Sequence, residues 1–404
     1  MDNQVPVILT INCGSSSLKF ALFELADLRL ISQGNIQDIG GESSIRLMDR
    51  AGHEERVTQP IADLDAAIIF LLELLKESYS PYAIYAIGHR MVQGGMEHYL
   101  PELITADLLQ TFDTLIPLAP GHLPAEIQAI RAFENAYPGT PQVACFDTAF
   151  HKDMPFAARH FAIPRKLWND GVIRYGFHGL SYEYIYQQLT QVAPQEANGR
   201  IVIAHLGNGA SMAVIKDGRS LDTTMGLTPT GGLVMSTRSG DLDPGVILYL
   251  LKEKHFISER ALNELLNKQS GLKGVSGTAS DIQTLLEQEA KDPNAADAIQ
   301  LFCYQAKKYI GALTAAAGGI DTLVFTGGIG IHAPVIRERI CDGLEYLGIV
   351  VDPFLNNDKN DIISPIGNRV TVRVMATNEE LIIAQHTQQC LQSHKTIQYG
   401  NTHT

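Results

Sequence analysis

The stretch VPVILTINCGSSSLKFALFEL, Val5–Leu25, carries the reading of the fold. Its first part, VPVILTIN (Val5–Asn12), is an apolar run rich in β-branched residues, the composition of a strand covered on both faces. CGSSS supplies small residues for a turn, and LKFALFEL (Leu18–Leu25) alternates as a strand does. The whole segment predicts a β-hairpin. The plan returns later as RIVIAHL (Arg200–Leu206), the turn GNGAS (Gly207–Ser211) and MAVIKDGRSL, read as a further strand. Two hairpins of one design, without a sequence repeat, predict two related halves. Outward from them, strands and helices alternate. A helix is expected over Leu64–Lys76, a strand in YAIYAIGHR ending at Arg90, a helix after Pro124, and a strand in QVACFD ending at Asp147. TLVFTGGIG (Thr322–Gly330) reads as a strand running into a glycine turn, with a helix from about Ala333. A last strand, a turn at Thr377–Asn378 and a last helix follow, and the polar tail from Ser393 is expected to fray. The class is α/β. The boundary is expected near Asp147–Asp153, giving one domain over 1–150 and another over 151–383, with the last helix (384–404) returning to the first.

Composition narrows the function. A chain of 404 residues allows two or three domains. Apolar residues at 45% and charged residues at 19% exclude a disordered or collagen-like chain. With 31 Lys+Arg against 44 Asp+Glu, the net charge of −13 repels phosphate backbones and anionic lipid, so neither nucleic acid nor a membrane surface is an expected partner. A small anion held by a few local cations stays open. The five cysteines are odd in number, widely spaced and free of CxxC, which argues against a disulfide scaffold or structural zinc and for a reducing, cytoplasmic setting. The first residues lack the basic region of a signal peptide, and the greasiest run, Ala66–Leu75, holds Glu73 and is too short to span a bilayer.

Three small-residue turns follow strands: NCGSSSLK (Asn12–Lys19), HLGNGAS (His205–Ser211) and TGGIG (Thr326–Gly330). Alone, each fits an ordinary turn. Together they point to phosphate or nucleotide, because such turns let backbone N–H groups and hydroxyls approach an anion at a strand end, and Lys19 adds charge. Other candidates sit in polar or strand-end positions. Arg90 ends a strand and suits either a salt bridge or a carboxylate substrate. Arg238, in STRSGDLDPG, is either solvated or set against a transferring phosphoryl group. Asp147 ends a strand, His178 lies in GFHG, and Glu379 follows the expected N-cap Asn378, where it favours the helix dipole or holds a hydrated metal.

The motifs VILTINCGSSSLKF, AIGHRMVQGG, VACFDTAFH, RYGFHG, IVIAHLGNGAS, DTTMGLTP, STRSGDLDP, VFTGGIG and TNEEL occur in an order that resembles the acetate/propionate kinase family, from about Val5 to Leu381. The resemblance implies two ribonuclease H-like domains (the actin and sugar-kinase superfamily) with a cleft between them, usually in a homodimer. It implies reversible, Mg2+-dependent transfer of the ATP γ-phosphoryl to acetate, giving acetyl phosphate and ADP, with Mn2+ as an alternative metal and propionate as an alternative acid. It assigns Asn12 and Glu379 to the metal, and Ser15, Ser17 and Lys19 to the phosphates. Arg90 goes to the carboxylate, Asp147 to the active-site acid, and His178 and Arg238 to transition-state charge. Val92, His122, Phe177 and Pro229 fall at the acid pocket. His205, Leu206, Gly207, Asn208, Gly209, Asp281, Ile282, Gln283, Gly328, Ile329, Gly330, Ile331 and His332 fall on nucleotide segments.

The chain departs from the family pattern at Ile282-Gln283 and Ile331-His332 on the nucleotide side, and at Gly121, where a large apolar residue is usual. A wider pocket predicts broadened acid preference rather than a switch, and the nucleotide-side changes raise pyrophosphate as an alternative donor. A catalytically silent nucleotide-binding protein is the rival of another class. Retention of Asn12, Arg90, Asp147, His178, Arg238 and Glu379 argues against it.

Overall fold

The computed structural model describes residues 4–14, 16–252, 258–358 and 360–400. Ser15 lies outside them. The chain divides into two compact units, Met1–Ala149 with Asn378–Thr404, and Phe150–Thr377.

In the first unit eight strands form one sheet: β1 (Val5–Cys13), β2 (Ser17–Glu24), β3 (Leu30–Gln37), β4 (Gly41–Asp49), β5 (Glu54–Ile61), β6 (Tyr82–Met91), β7 (Glu102–Leu103) and β8 (Gln142–Phe146), in the order β5-β4-β3-β2-β1-β6-β8-β7. The predicted hairpin is present, with Asn12 opposite Lys19. β1 sends alternate residues to two covered faces, which is why it reads as an unbroken apolar run. Val7, Leu9, Ile11 and Cys13 pack against the helices Leu64–Ser78 and Leu123–Ala136, while Ile8 packs with Ala384 of the last helix. The helix Leu64–Ser78 starts where the Asp63 carboxylate accepts the Ala66 N–H at 2.9 Å. It buries Leu64, Ala67, Ile68, Leu71 and Leu75, the stripe of an amphipathic helix. Each large member stabilises the unit by about 1.5–3 kcal/mol.

The second unit holds β9 (Ile201–Leu206), β10 (Ala210–Lys216), β11 (Arg219–Thr223), β12 (Thr322–Thr326) and β13 (Thr371–Val374), in the order β11-β10-β9-β12-β13. β9, β10 and β11 run antiparallel in succession, and β12 and β13 lie parallel to β9 on its other side. The strands β3-β2-β1-β6-β8 of the first unit repeat this arrangement. It is the ribonuclease H-like design, and the fold class is α/β with two such sheets. Tyr182, Ile185 and Leu189 of the helix Gly179–Val192 cover one face of the second sheet.

Three local expectations are corrected. MAVIKDGRSL is not one strand. Asp217 (φ +51°) and Gly218 (φ +75°) turn the chain left-handed between β10 and β11, as a two-residue hairpin requires. TGGIG is not an open turn, because Gly327–His332 forms a short helix directly after β12. The last helix runs through the polar tail from Glu379 to Gly400, past the point of expected fraying.

Candidate active site

The C-terminal ends of β1, β6 and β8 lie side by side, since β1 and β8 each pair in parallel with β6. This edge is where α/β sheets place ligands. Asn12, Arg90 and Asp147 stand there. One Arg90 amino group (Nη2) donates to Asp147 Oδ2 at 2.5 Å and the other (Nη1) to Asn12 Oδ1 at 3.2 Å, while Asn12 Nδ2 donates to Glu379 Oε2 at 3.1 Å. Glu379 arrives from a distance of 367 residues because the last helix packs on the first sheet, with Asn378 accepting the Leu381 N–H as its cap. Asp147 is 0% exposed and the Arg90 side chain 16%. Burial alone would lower the Arg90 pKa, but the charges of Asp147 and Glu379 outweigh it and hold the guanidinium above its ordinary value. Its Nε–H is buried with no acceptor among the described residues, a donor that an incoming anion can satisfy.

Ser17 and Lys19 share a face of β2 with alternate spacing, and the pairing puts Lys19 beside Asn12. The backbone turn is closed by the Gly14 N–H donating to the Ser17 carbonyl at 2.8 Å. Val92 directly follows β6 and is buried, and His122 immediately precedes the helix Leu123–Ala136. Glu126, which sequence reading did not single out, is 2% exposed and accepts the Val92 N–H at 3.1 Å. An acid in a first helical turn reads as a solvated dipole partner, and nothing local reveals its burial.

In the second unit His178 occupies the left-handed region (φ +59°) just before the helix Gly179–Val192. Its Nδ1 bonds Ser211 Oγ at 2.8 Å, and Ser211 in turn bonds the Tyr182 hydroxyl. The His178 and His205 rings stack at 4.3 Å, and His205 Nδ1 bonds Ser181 Oγ at 2.8 Å. A Cβ on Gly209 would stand 3.3 Å from His178 Nε2 and 3.8 Å from an Arg238 amino nitrogen, so both groups converge on this glycine. Arg238 is anchored through the Pro229 carbonyl at 2.9 Å, and its loop through Ser236 N–H to the Asn208 carbonyl at 3.2 Å. The two glycine turns abut: at Gly327 (φ +76°) a Cβ would lie 2.6 Å from the Leu206 carbonyl oxygen. His205, Leu206, Gly207, Asn208, Gly209, Gly328 and Arg238 are therefore gathered at the C-terminal ends of β9 and β12. Phe177 is 1% exposed and sits next to His178.

Asp281, Ile282 and Gln283 have visible structural duties. Asp281 caps the helix Ile282–Gln288 by accepting from Thr284 N at 2.8 Å, Ile282 is buried, and the Gln283 side chain donates to Glu287 at 3.2 Å. Gly330 and Ile331 offer their carbonyls to the buried Arg337 (2.9 and 2.8 Å), which secures the helix Gly327–His332, with Ile329 inside it.

The sequence profile of the Acetokinase family matches residues 7–385. The chain belongs to the Acetokinase family. Curated acetokinase relatives include an acetate kinase of Methylocella silvestris, 42% identical over 394 residues (94% of this chain, 96% of the relative). Another is an acetate kinase of Rhodopseudomonas palustris, 43% identical over 390 residues (94% and 97%). Among solved acetokinase structures, an acetate kinase from Porphyromonas gingivalis matches with a TM-score of 0.83 at 38% identity, covering 96% of this chain and 100% of that one. A propionate kinase from Francisella tularensis matches with a TM-score of 0.87, also at 38% identity, covering 95% and 99%.

Proposed function

We infer that the chain is an acetate kinase: it transfers the γ-phosphoryl of ATP to acetate, reversibly, forming acetyl phosphate and ADP. The observation that carries the reading, beside family membership, is Arg90 held between Asp147 and Asn12 with a buried donor unsatisfied. Acetate is already ionised at neutral pH, since carboxyl pKa values lie near ~4. One carboxylate oxygen forms the new bond to the γ-phosphorus as the bond to the bridging oxygen of ADP breaks, and no proton moves. Catalysis then rests on position and charge. Arg90 binds the acid, with Val92, His122, Phe177 and Pro229 meeting its alkyl part. His178 and Arg238 neutralise the transferring group. Ser15, Ser17, Lys19 and the turns at His205–Gly209 and Gly328–His332 hold phosphates and nucleotide, with Asp281–Gln283 as a further nucleotide segment. Asp147 orients Arg90 rather than taking a proton.

Asn12 and Glu379 offer a side-chain amide oxygen and a carboxylate, donors suited to a hard divalent cation. Among the described residues no group of three or more His, Cys, Asp or Glu is placed to hold an ion. Two oxygens suit Mg2+, or Mn2+, whose shell is completed by water and substrate phosphate. When bound, the cation supplies charge neutralisation at the phosphate oxygens. The five cysteines are all free and buried, which supports a reducing, cytoplasmic setting. No helix among the described residues is long and apolar enough to cross a membrane.

A hydroxamate assay over acetate, propionate and butyrate, with ATP and pyrophosphate as donors, tests the reading. The expected result is acyl phosphate from acetate and ATP, with substantial activity on propionate. A Cβ on Gly121 would meet nothing within 4 Å, and one methylene in an apolar pocket discriminates by only about 1–3 kcal/mol. Absence of product with every acid and every donor would support the silent-protein alternative; product only with pyrophosphate would reassign the donor.

The family resemblance also suggests a homodimer. The helix Pro244–Lys252 (PGVILYLLK) has no buried residue, and Leu248 and Tyr249 are 59% and 64% exposed, which makes it the apolar face that a second copy would cover. Light scattering is expected to report a dimer for the wild type and a monomer for Leu248→Glu/Tyr249→Glu. An unchanged dimer in that variant would place the interface elsewhere.

A further inference from the structure

We propose that Glu126 is a positioning residue for the acid pocket, its carboxyl clamping the Val92 backbone to the start of the helix Leu123–Ala136. The proposal rests on the acid-binding role inferred above for Arg90, Val92 and His122.

Val92 lies one residue past β6. The β6/β8 ladder ends at the pair Met91 and Phe146, and the Met91 carbonyl takes the Asp147 N–H at 2.9 Å. The Val92 N–H is thus beyond the ladder and would be an orphan donor inside the protein. Glu126 Oε2 accepts it at 3.1 Å. At its other end Glu126 belongs to the turn that carries His122: its own N–H donates to the His122 carbonyl at 3.2 Å. One residue therefore ties together the strand end bearing Val92 and the turn bearing Gly121 and His122. A Cβ at Gly121 would meet nothing within 4 Å, so there is open space beside that turn.

The protonation state suits the task. Glutamate is almost never fully buried unless paired, yet Glu126 is 2% exposed and its Oε1 has no hydrogen-bond partner among the described residues. Burial pushes its pKa up to about 8, Arg90 and the Val92 N–H oppose this, and Asp147 adds to it. The raised pKa favours the neutral acid at neutral pH. It accepts from Val92 without setting a further negative charge beside the guanidinium that must attract a carboxylate.

Three variants test the clamp against the wild type in the hydroxamate assay. Glu126→Gln keeps the length, the acceptor oxygen and the neutrality, and is expected to stay within about twofold of wild type in kcat and in both KM values. Glu126→Leu removes the acceptor, and Glu126→Asp is a methylene too short to reach Val92. Both are expected to raise KM for acetate about tenfold or more and to change the propionate-to-acetate ratio of kcat/KM, with KM for ATP unmoved. The Asp variant keeps the test open where Leu fails to fold. Wild-type acid KM and selectivity in the Asp and Leu variants would overturn the proposal, as would a parallel rise in both KM values that tracks a lowered Tm. If the wild type itself yields no acyl phosphate, the acid-kinase reading fails and this proposal with it. Product from the wild type with unaltered variants removes the proposal alone.

Discussion

Asp147→Asn is expected to lower kcat by about two to three orders of magnitude while moving KM for acetate by only a few-fold. The substitution keeps the shape of a side chain that is 0% exposed, so the sheet edge survives. It removes the charge opposite Arg90. Breaking a buried pair by neutralising one member costs about 3–5 kcal/mol, because the other charge stays behind. Here the loss is cushioned, since Arg90 also donates to Asn12 and feels the charge of Glu379. The guanidinium therefore stays at the sheet edge, tethered by Asn12, and remains cationic, so the acid still binds. Its orientation suffers, because an amide can meet Nη2 with either its oxygen or its NH2 group, and the second choice repels it. A misplacement of about 1 Å costs roughly a hundredfold in rate. Steady-state kinetics in the hydroxamate assay, with Tm measured in parallel, separates the two effects. A kcat within about threefold of wild type would show that Asp147 neither orients nor stabilises the reacting groups.

Gly271→Ala is expected to lower kcat about a hundredfold from a position that touches no substrate. Gly271 adopts φ +64°, and a Cβ there would stand 2.7 Å from the Arg238 carbonyl oxygen and closer still to that of Met235. The loop before Arg238 lies on this spot because the backbone donors around Gly271 hold it. Leu272 N–H reaches the Met235 carbonyl at 2.9 Å, Lys273 N–H the Ser236 carbonyl at 3.0 Å, and Ser270 N–H the Thr237 carbonyl at 3.1 Å. A methyl group must push that backbone away, and Arg238 moves with it relative to Gly209 and Pro229. The left-handed conformation costs an alanine about 1–2 kcal/mol, and the steric displacement about 1–3 kcal/mol more. Gly277→Ala is the control. It has φ +69° but nothing within 4 Å of a Cβ, so it should lose a little stability and no turnover. Equal kcat losses in the two variants would mean that backbone strain alone, not the seating of Arg238, limits the rate.

The legible part of this protein is local. A β-branched run followed by small residues specifies strand and turn within a dozen residues, and that pattern at Val5–Leu25 and again at Arg200–Ser211 was enough for the α/β class and for two related sheets. Arg90, Asp147 and His205 could be found because strand ends are where such sheets expose side chains to ligands. The Asp217-Gly218 pair between Lys216 and Arg219 is itself a two-residue hairpin signal. Strands β4 and β5 were not legible, since β5 is exposed along most of its length and shows no alternation; its partner strand, not its own composition, holds it extended.

Tertiary structure decided the rest. Asn12 and Glu379 meet only because the last helix returns to the first sheet, a contact that no sequence window contains. His178 and Arg238 converge on Gly209 through three separate loops. Asp281 caps the helix that follows it, a structural duty that appears only with the fold. Glu126 is the sharpest case. By sequence it is one more acid in a first helical turn, and only packing excludes water from it, raises its pKa and aims it at the Val92 N–H. Sequence determines what each segment prefers and which chemical groups it carries. Burial and charge environment are properties of what surrounds a residue, and they exist only once distant segments have packed.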